Sequence, residues 1–233
     1  MDLRRTDFFV DGYNLYYGLL TGTPYKWLDL PSLLNYILYE QDPESTGSHY
    51  LYFTSPVQAK LATRGNVSHQ AQTVYIKALK ARGAKIITGR HQLEFARAHR
   101  FNNKSIYPSR QDLVDIWKLE EKETDVSIAI EMYRMAFKST VSNEDSVQLD
   151  QIVLVSADTD MTPALKAIRE DFPSIRLGIV LPRQEKSKRP IPGSLIRWAD
   201  WIRRTVRDEE LSTHQFPERV ATHKKPAIKP SYW

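Results

Sequence analysis

The sequence predicts an α/β domain in which helices cover both faces of a parallel sheet. Three observations predict it. Short apolar runs (DFFV, HYLYF, AKIIT, IVLV and the stretch from Ile175 to Val180) alternate with helical stretches, the order expected of repeated βα units. The run IVLV at 152–155 contains no polar residue, as a strand buried on both faces requires. The stretch from Val67 to Arg82 is amphipathic and is closed by Gly83, a glycine helix stop.

Taken in order, Asp7–Val10 is the first strand and runs directly into the turn DGYN, after which Asn14–Leu20 begins a helix. Trp27–Glu40 is a helix with Asp29 as N-cap and Pro31 in its first turn. Leu33, Leu34, Ile37 and Leu38 recur at helical spacing and mark its buried face. His49–Phe53 is the second strand and Ala84–Thr88 the third. Residues 90–120 are polar and basic and read as an irregular insertion over one face. Thr124–Lys138 is a helix whose apolar positions include Val126, Ile130, Tyr133 and Phe137. Strand Ile152–Val155, helix Thr162–Glu170 and strand Ile175–Val180 complete the alternation. The expected organisation is one domain over residues 1–207, with 90–120 inserted, and a mobile, basic, Pro/Lys-rich tail over 208–233. No internal repeat is visible.

Composition narrows the classes. Hydrophobic residues make up 41% and charged residues 26%, values of a globular rather than a disordered chain. No run approaches the roughly 18–20 apolar residues of a membrane span. The N-terminal apolar run is broken at Asp11, which excludes a signal peptide and makes the cytoplasm the expected location. With no cysteine, disulfide scaffolds, thiolate zinc sites and cysteine nucleophiles are excluded. The net charge of +5 is uneven: residues 183–233 hold 12 Lys/Arg against 6 Asp/Glu, and residues 1–182 hold 21 against 22. That distribution suits either a polyanion-binding segment or a solvated tail.

Ligands of open parallel sheets sit beyond the carboxyl ends of the strands. Asp11 follows the first strand there, and Asp158 and Asp160 follow IVLVSAD. Asp125 opens a helix, whose start faces the same edge. Each alone is equally at home as a turn or cap residue. Together they gather four carboxylates from three distant segments. Such a cluster is tolerated when a divalent cation neutralises it, and oxygen ligands favour Mg²⁺ or Mn²⁺.

The blocks VDGYNLY (10–16), KETDVSIAIEM (122–132) and IVLVSADTDMTPAL (152–165) resemble, in order and spacing, the three signature blocks of NYN domains, which belong to the PIN-like nuclease group. The resemblance covers roughly residues 5–205. It implies a three-layer α/β/α sandwich and metal-dependent hydrolysis of RNA phosphodiesters, leaving a 5′-phosphate and a 3′-hydroxyl. Carried over by position, it makes Asp11, Asp125, Asp158 and Asp160 the metal-binding, catalytic acids. Asn14 resembles the polar partner that holds a water or a phosphate oxygen, and Ser156 the supporting hydroxyl. Glu131 stands where many members have aspartate and is placed behind the acids. Ala157 replaces a more usual glycine, and Met161 a common aromatic. A homodimer is the assembly that relatives of this type suggest.

For RNA, single-stranded or structured, the candidate contacts are Arg97, Arg100, Lys104 and Arg110 on the insertion and Arg183, Lys186, Lys188 and Arg189 after the fifth strand. Tyr13, Tyr16, Phe101 and Tyr107 could stack on bases, or the first two could belong to the core. The rival to a ribonuclease is a catalytically silent RNA-binding or regulatory protein on the same fold. A remote alternative is a hydroxylase of a heteroaromatic acid, although the sequence carries no dinucleotide-binding glycine loop and no His-based iron triad.

Overall fold

The computed structural model describes residues 3–141 and 148–233. In chain order its elements are β1 (Arg4–Asp11), α1 (Gly12–Leu15), α2 (Leu30–Gln41), β2 (Ser45–Thr54), α3 (Asn66–Ala81), β3 (Lys85–Thr88), β4 (Arg90–His99), β5 (Leu113–Lys122) and α4 (Thr124–Val141). There follow β6 (Gln151–Val155), α5 (Thr162–Asp171), β7 (Arg176–Val180), α6 (Gly193–Ile196), β8 (Trp201–Arg203), α7 (Asp208–Thr213), β9 (Arg219–Val220) and β10 (Ala227–Ile228). Six strands form one parallel sheet in the order β3-β2-β1-β6-β7-β8.

Side-chain alternation along the strands makes the two outer layers. Phe8, Val10, Val153 and Val155 face one core with Leu33, Leu34, Ile37 and Leu38 of α2 and Leu79 of α3. Phe9, Phe53, Ile152 and Leu154 face the other, against Ile128 and Met132 of α4 and Leu165 and Ile168 of α5. The three-layer α/β/α, PIN-like sandwich is therefore present. Asp29 caps α2 by accepting from the Ser32 amide at 3.2 Å, and Pro31 fits that first turn because its missing N–H is not needed there.

Three expectations need correction, and α4 adds a finding. The sheet has a sixth strand, β8, too short to announce itself by alternation. The 90–120 stretch is regular: β4 and β5 pair antiparallel from Arg90↔Lys122 to His99↔Leu113, forming a ribbon separate from the main sheet. Its charged residues masked a period of two. On α4, Val126, Ile130, Tyr133 and Phe137 are exposed, whereas Ile128, Met132 and Ala136 are buried. The helix carries two apolar stripes, and its first residue selects between them. Buried Thr124 donates to Glu121 Oε1 at 2.7 Å and sits 3.4 Å from Ser55 Oγ, which turns the 124–128–132–136 stripe inward.

The segment expected to be a mobile tail is packed against the body. Trp27 Nε1 donates to the Pro217 carbonyl at 2.8 Å, and the Trp27 ring meets Phe216 and Trp233 at centroid distances of 5.6 and 6.2 Å. Glu210 of α7, buried, is held by Arg203 and Arg207. Widely spaced apolar anchors within a Lys/Pro-rich composition left no periodic signal.

Candidate active site at the sheet switch point

The chain lays strands outward from β1 through β2 to β3 on one side, and from β6 through β7 to β8 on the other. Strand order therefore reverses between β1 and β6, and the crevice beyond their carboxyl ends is where such sheets place ligands. Val10 pairs with Val155, so Asp11, the last residue of β1, and Ser156, just past β6, lie side by side at this edge. The Ser156 hydroxyl donates to Asp11 Oδ2 at 3.2 Å and accepts from the Asp158 amide at 3.0 Å. Asp11 Oδ1 accepts from the Asn14 amide at 2.9 Å. The Asn14 side-chain oxygen in turn accepts from the Ala157 amide at 3.0 Å. Ser156 thus hydrogen-bonds the Asp11 carboxylate. Asn14, as placed, spends its oxygen joining the two strand ends.

Gly12 is required at this turn. A Cβ there would come within 2.7 Å of the Phe53 carbonyl and of the Tyr52 ring, so any larger residue would push Asp11 off its place.

The other acids arrive from two further segments. Asp158 accepts from the Asp160 amide at 3.0 Å, which forms the turn into α5. Asp125 stands in the first turn of α4. Burial raises the Asp11 pKa to about 6, and the charges of Asp125 and Glu121 add to the effect against the Asn14 amide and the Ser156 hydroxyl. Asp125 is also raised, first by the protein mass around it and then by Asp158, Glu121 and Asp160. These carboxylates share one field. Neighbouring acids are ion-paired, Glu120 with Lys118 and Lys122 and Glu123 with Arg90, whereas Asp11, Asp125, Asp158 and Asp160 have no such partner among the described residues. Glu121, at the end of β5, belongs to the set and was missed; the acidic run KLEEKETD was the available signal.

The donors are all oxygen, which suits Mg²⁺ or Mn²⁺ in type. Among the described residues no three His, Asp or Glu side chains converge into a finished metal cage. Mg²⁺ does not need one, because it is bound through one or two carboxylates with waters and substrate phosphates completing its shell. The donor set fits such a cation.

The remaining candidates separate. Glu131 pairs with Arg134 at 3.2 Å and lies six residues from Asp125, well around the helix from it. Arg97 pairs with Asp115 at 3.4 Å, while Arg100, Lys104 and Arg110 are exposed at the ribbon tip. Ten-residue strands put that tip on the order of 30 Å from the sheet edge. Arg183 is folded into its own loop by a 2.6 Å bond to the Ser187 carbonyl, whereas Lys186, Lys188 and Arg189 are exposed just past β7, at the carboxyl edge. Tyr13 is half-buried, donates to the Ser55 carbonyl at 3.2 Å and stacks on Tyr17. Phe101 and Tyr107 are exposed.

Comparison with known proteins agrees with this architecture. The chain is 35% identical to the 6-hydroxy-3-succinoylpyridine 3-monooxygenase of Pseudomonas putida, over 98% of its own length and 75% of that protein's. A solved structure of a protein of unknown function from Vibrio parahaemolyticus matches with a TM-score of 0.50 at 14% identity, covering 90% of this chain and 96% of that one, a likeness of fold alone. The NYN domain profile matches residues 5–191, a span that contains Asp11, Asp125, Asp158 and Asp160 together with the two strands that meet at the switch point. This chain belongs to the NYN domain family.

Proposed function

We propose that the chain is a metal-dependent ribonuclease acting at the β1/β6 crevice. The observation that carries this reading is the shared field of Asp11, Asp125, Asp158, Asp160 and Glu121, which no ion pair among the described residues neutralises. A divalent cation bound there supplies Lewis-acid stabilisation of a phosphoryl oxygen and a lowered pKa for water. Asp11, Asp125, Asp158 and Asp160 are the residues that would hold it. Ser156 fixes the orientation of the Asp11 carboxylate. The link from Asn14 to Ala157 keeps the 156–160 turn in register with β1. Lys186, Lys188 and Arg189 meet the RNA backbone beside the crevice, and the ribbon tip meets it several nucleotides away.

The test is cleavage of end-labelled RNA with Mg²⁺ or Mn²⁺, with EDTA, and by Asp11→Asn and Asp125→Asn. The reading requires loss of cleavage in EDTA and in both variants. RNA binding that persists in EDTA and in both variants, with no turnover in any condition, identifies the silent RNA-binding protein instead.

A second reading, hydroxylation of a heteroaromatic acid, is favoured by the relative's activity and by an aromatic-walled cavity beside Tyr13. Oxygen uptake that depends on a hydroxypyridine and a reductant tests it.

A further inference from the structure

Next to the acid crevice, beneath Tyr13 and on the α3 side of the sheet, lies a cavity of about 440 Å³. That volume is within the range of small-ligand sites, roughly 300–1,000 Å³. Distant chain segments build it: the turn after β1, Lys26 ahead of α2, Tyr52 and Thr54 of β2, the loop that follows, Gln72 and Tyr75 of α3, the base of the ribbon, and the chain end at Tyr232 and Trp233. Its walls are aromatic, with Tyr13, Tyr16, Tyr17 and Tyr75 joining the two terminal rings. No Asp or Glu side chain lines it, but Arg64 and Lys26 do. The Arg64 guanidinium lies 4.7 Å over the Tyr232 ring. Stacked in that way it keeps its in-plane N–H donors free for an anion. Neither cation has an ion-pair partner among the described residues. An aromatic cavity with cationic side chains in its lining therefore adjoins a negative crevice, with Asp11 and Tyr13 two residues apart at the boundary, where the charges of Asp11 and Glu121 reach the Tyr13 and Tyr52 walls.

We propose that this cavity binds a planar aromatic ring carrying an anionic group, the ring held among Tyr13, Tyr17 and Tyr232 and the anion met by Arg64 within the field of Lys26. Two sources share that chemistry: a nucleotide, as base plus phosphate, and a heteroaromatic carboxylic acid. The proposal goes beyond the ribonuclease reading and stands without it, because no residue named for the cavity belongs to the acid set; its carboxylic-acid arm rests on the second reading.

Calorimetric titration of the full chain in EDTA tests it, with adenosine 5′-monophosphate and pyridine-3-carboxylate as probes and adenosine and pyridine-3-carboxamide as their neutral counterparts. The expected result is saturable one-site binding of at least one acid, weakened roughly tenfold or more in its neutral counterpart and in Arg64→Gln, as loss of a charge-assisted contact requires. Tyr17→Ala, at an exposed ring, weakens binding without unfolding the chain. Binding of the nucleotide alone assigns the cavity to a nucleic-acid end, and binding of the pyridine acid alone to a small-molecule substrate. No saturable binding of either acid, equal binding of the neutral counterparts, or unchanged binding in Arg64→Gln overturns the proposal. Failure of the ribonuclease reading appears separately, as RNA cleavage that is absent or indifferent to EDTA.

Discussion

The Ser156 hydroxyl donates to the Asp11 carboxylate across 3.2 Å and so ties the end of β6 to the end of β1. Because the same oxygen accepts from the Asp158 amide at 3.0 Å, Ser156→Ala removes two contacts from a fully buried position. The expected cost is about 1–3 kcal/mol of stability by urea denaturation. Losing the donor also raises the Asp11 pKa beyond about 6, and metal affinity falls about 10–100-fold, as when a ligand's support is cut away. Isothermal titration with Mn²⁺ measures the second effect.

Asp11 gives the fold a pH signature with a definite sign. Its folded pKa of about 6 lies above the ordinary 3.8, so the native state holds the proton more tightly than the unfolded state. Stability from this group is present below pH 3.8, falls as pH rises through the window to about 6, and stays lowered above it. The cost at pH 7 is about 2–3 kcal/mol, from 1.36 kcal/mol per pK unit. Asp11→Asn keeps an acceptor for the Asn14 amide and escapes this cost. The variant therefore melts higher than the wild type at pH 7 and converges with it near pH 4. Mn²⁺ stabilises the wild type at pH 7 and leaves the variant unmoved. Parallel melting curves for the two proteins across that range contradict the assignment.

The two stripes of α4 make opposite predictions. Met132→Ala, at a fully buried position, costs about 2–5 kcal/mol. Ile130→Glu, more than half exposed, changes monomer stability by less than about 0.5 kcal/mol. Should a homodimer use this face, light scattering shows Ile130→Glu as a monomer with an unchanged urea m-value.

The C-terminal segment is structural. Removing residues 208–233 strips Phe216 and Trp233 from Trp27 and Glu210 from Arg203 and Arg207. The truncated chain is expected to be insoluble or to melt at least about 10 °C lower, since breaking the buried ion pair alone costs about 3–5 kcal/mol. Trp233→Ala is the milder variant. It lowers the melting temperature without touching the acid crevice.

For nucleic acid, Lys186→Gln, Lys188→Gln and Arg189→Gln remove exposed charges at the carboxyl edge. If each neutralises one phosphate, the triple variant reduces the slope of log affinity against log salt by about 2, at roughly 0.7 per contact with a single strand. Arg183→Gln leaves the slope unchanged, because that side chain is spent on the Ser187 carbonyl.

Sequence alone revealed the parallel alternation and the four aspartates because both leave local signals: IVLV has no polar residue, and DGYN and SADTD sit where strands end. The inward face of α4 was not legible, since Val126/Ile130 and Ile128/Met132 repeat at the same spacing and only Thr124's contacts choose between them. Glu121 was hidden for a related reason. It reaches Asp11 and Asp125 only because the ribbon returns to its starting point. The cavity was invisible, as its walls come from residues as far apart as Tyr13 and Trp233.

That return has its own consequence. A Cβ at Gly89, just before the ribbon leaves, would lie 2.6 Å from the Lys122 carbonyl, just where the ribbon re-enters. With its two feet touching, the arm leaves and rejoins the body at one point, so residues added or removed at its tip fall outside the strands beneath. A change in the length of that arm would leave the carboxylates at its base in their places.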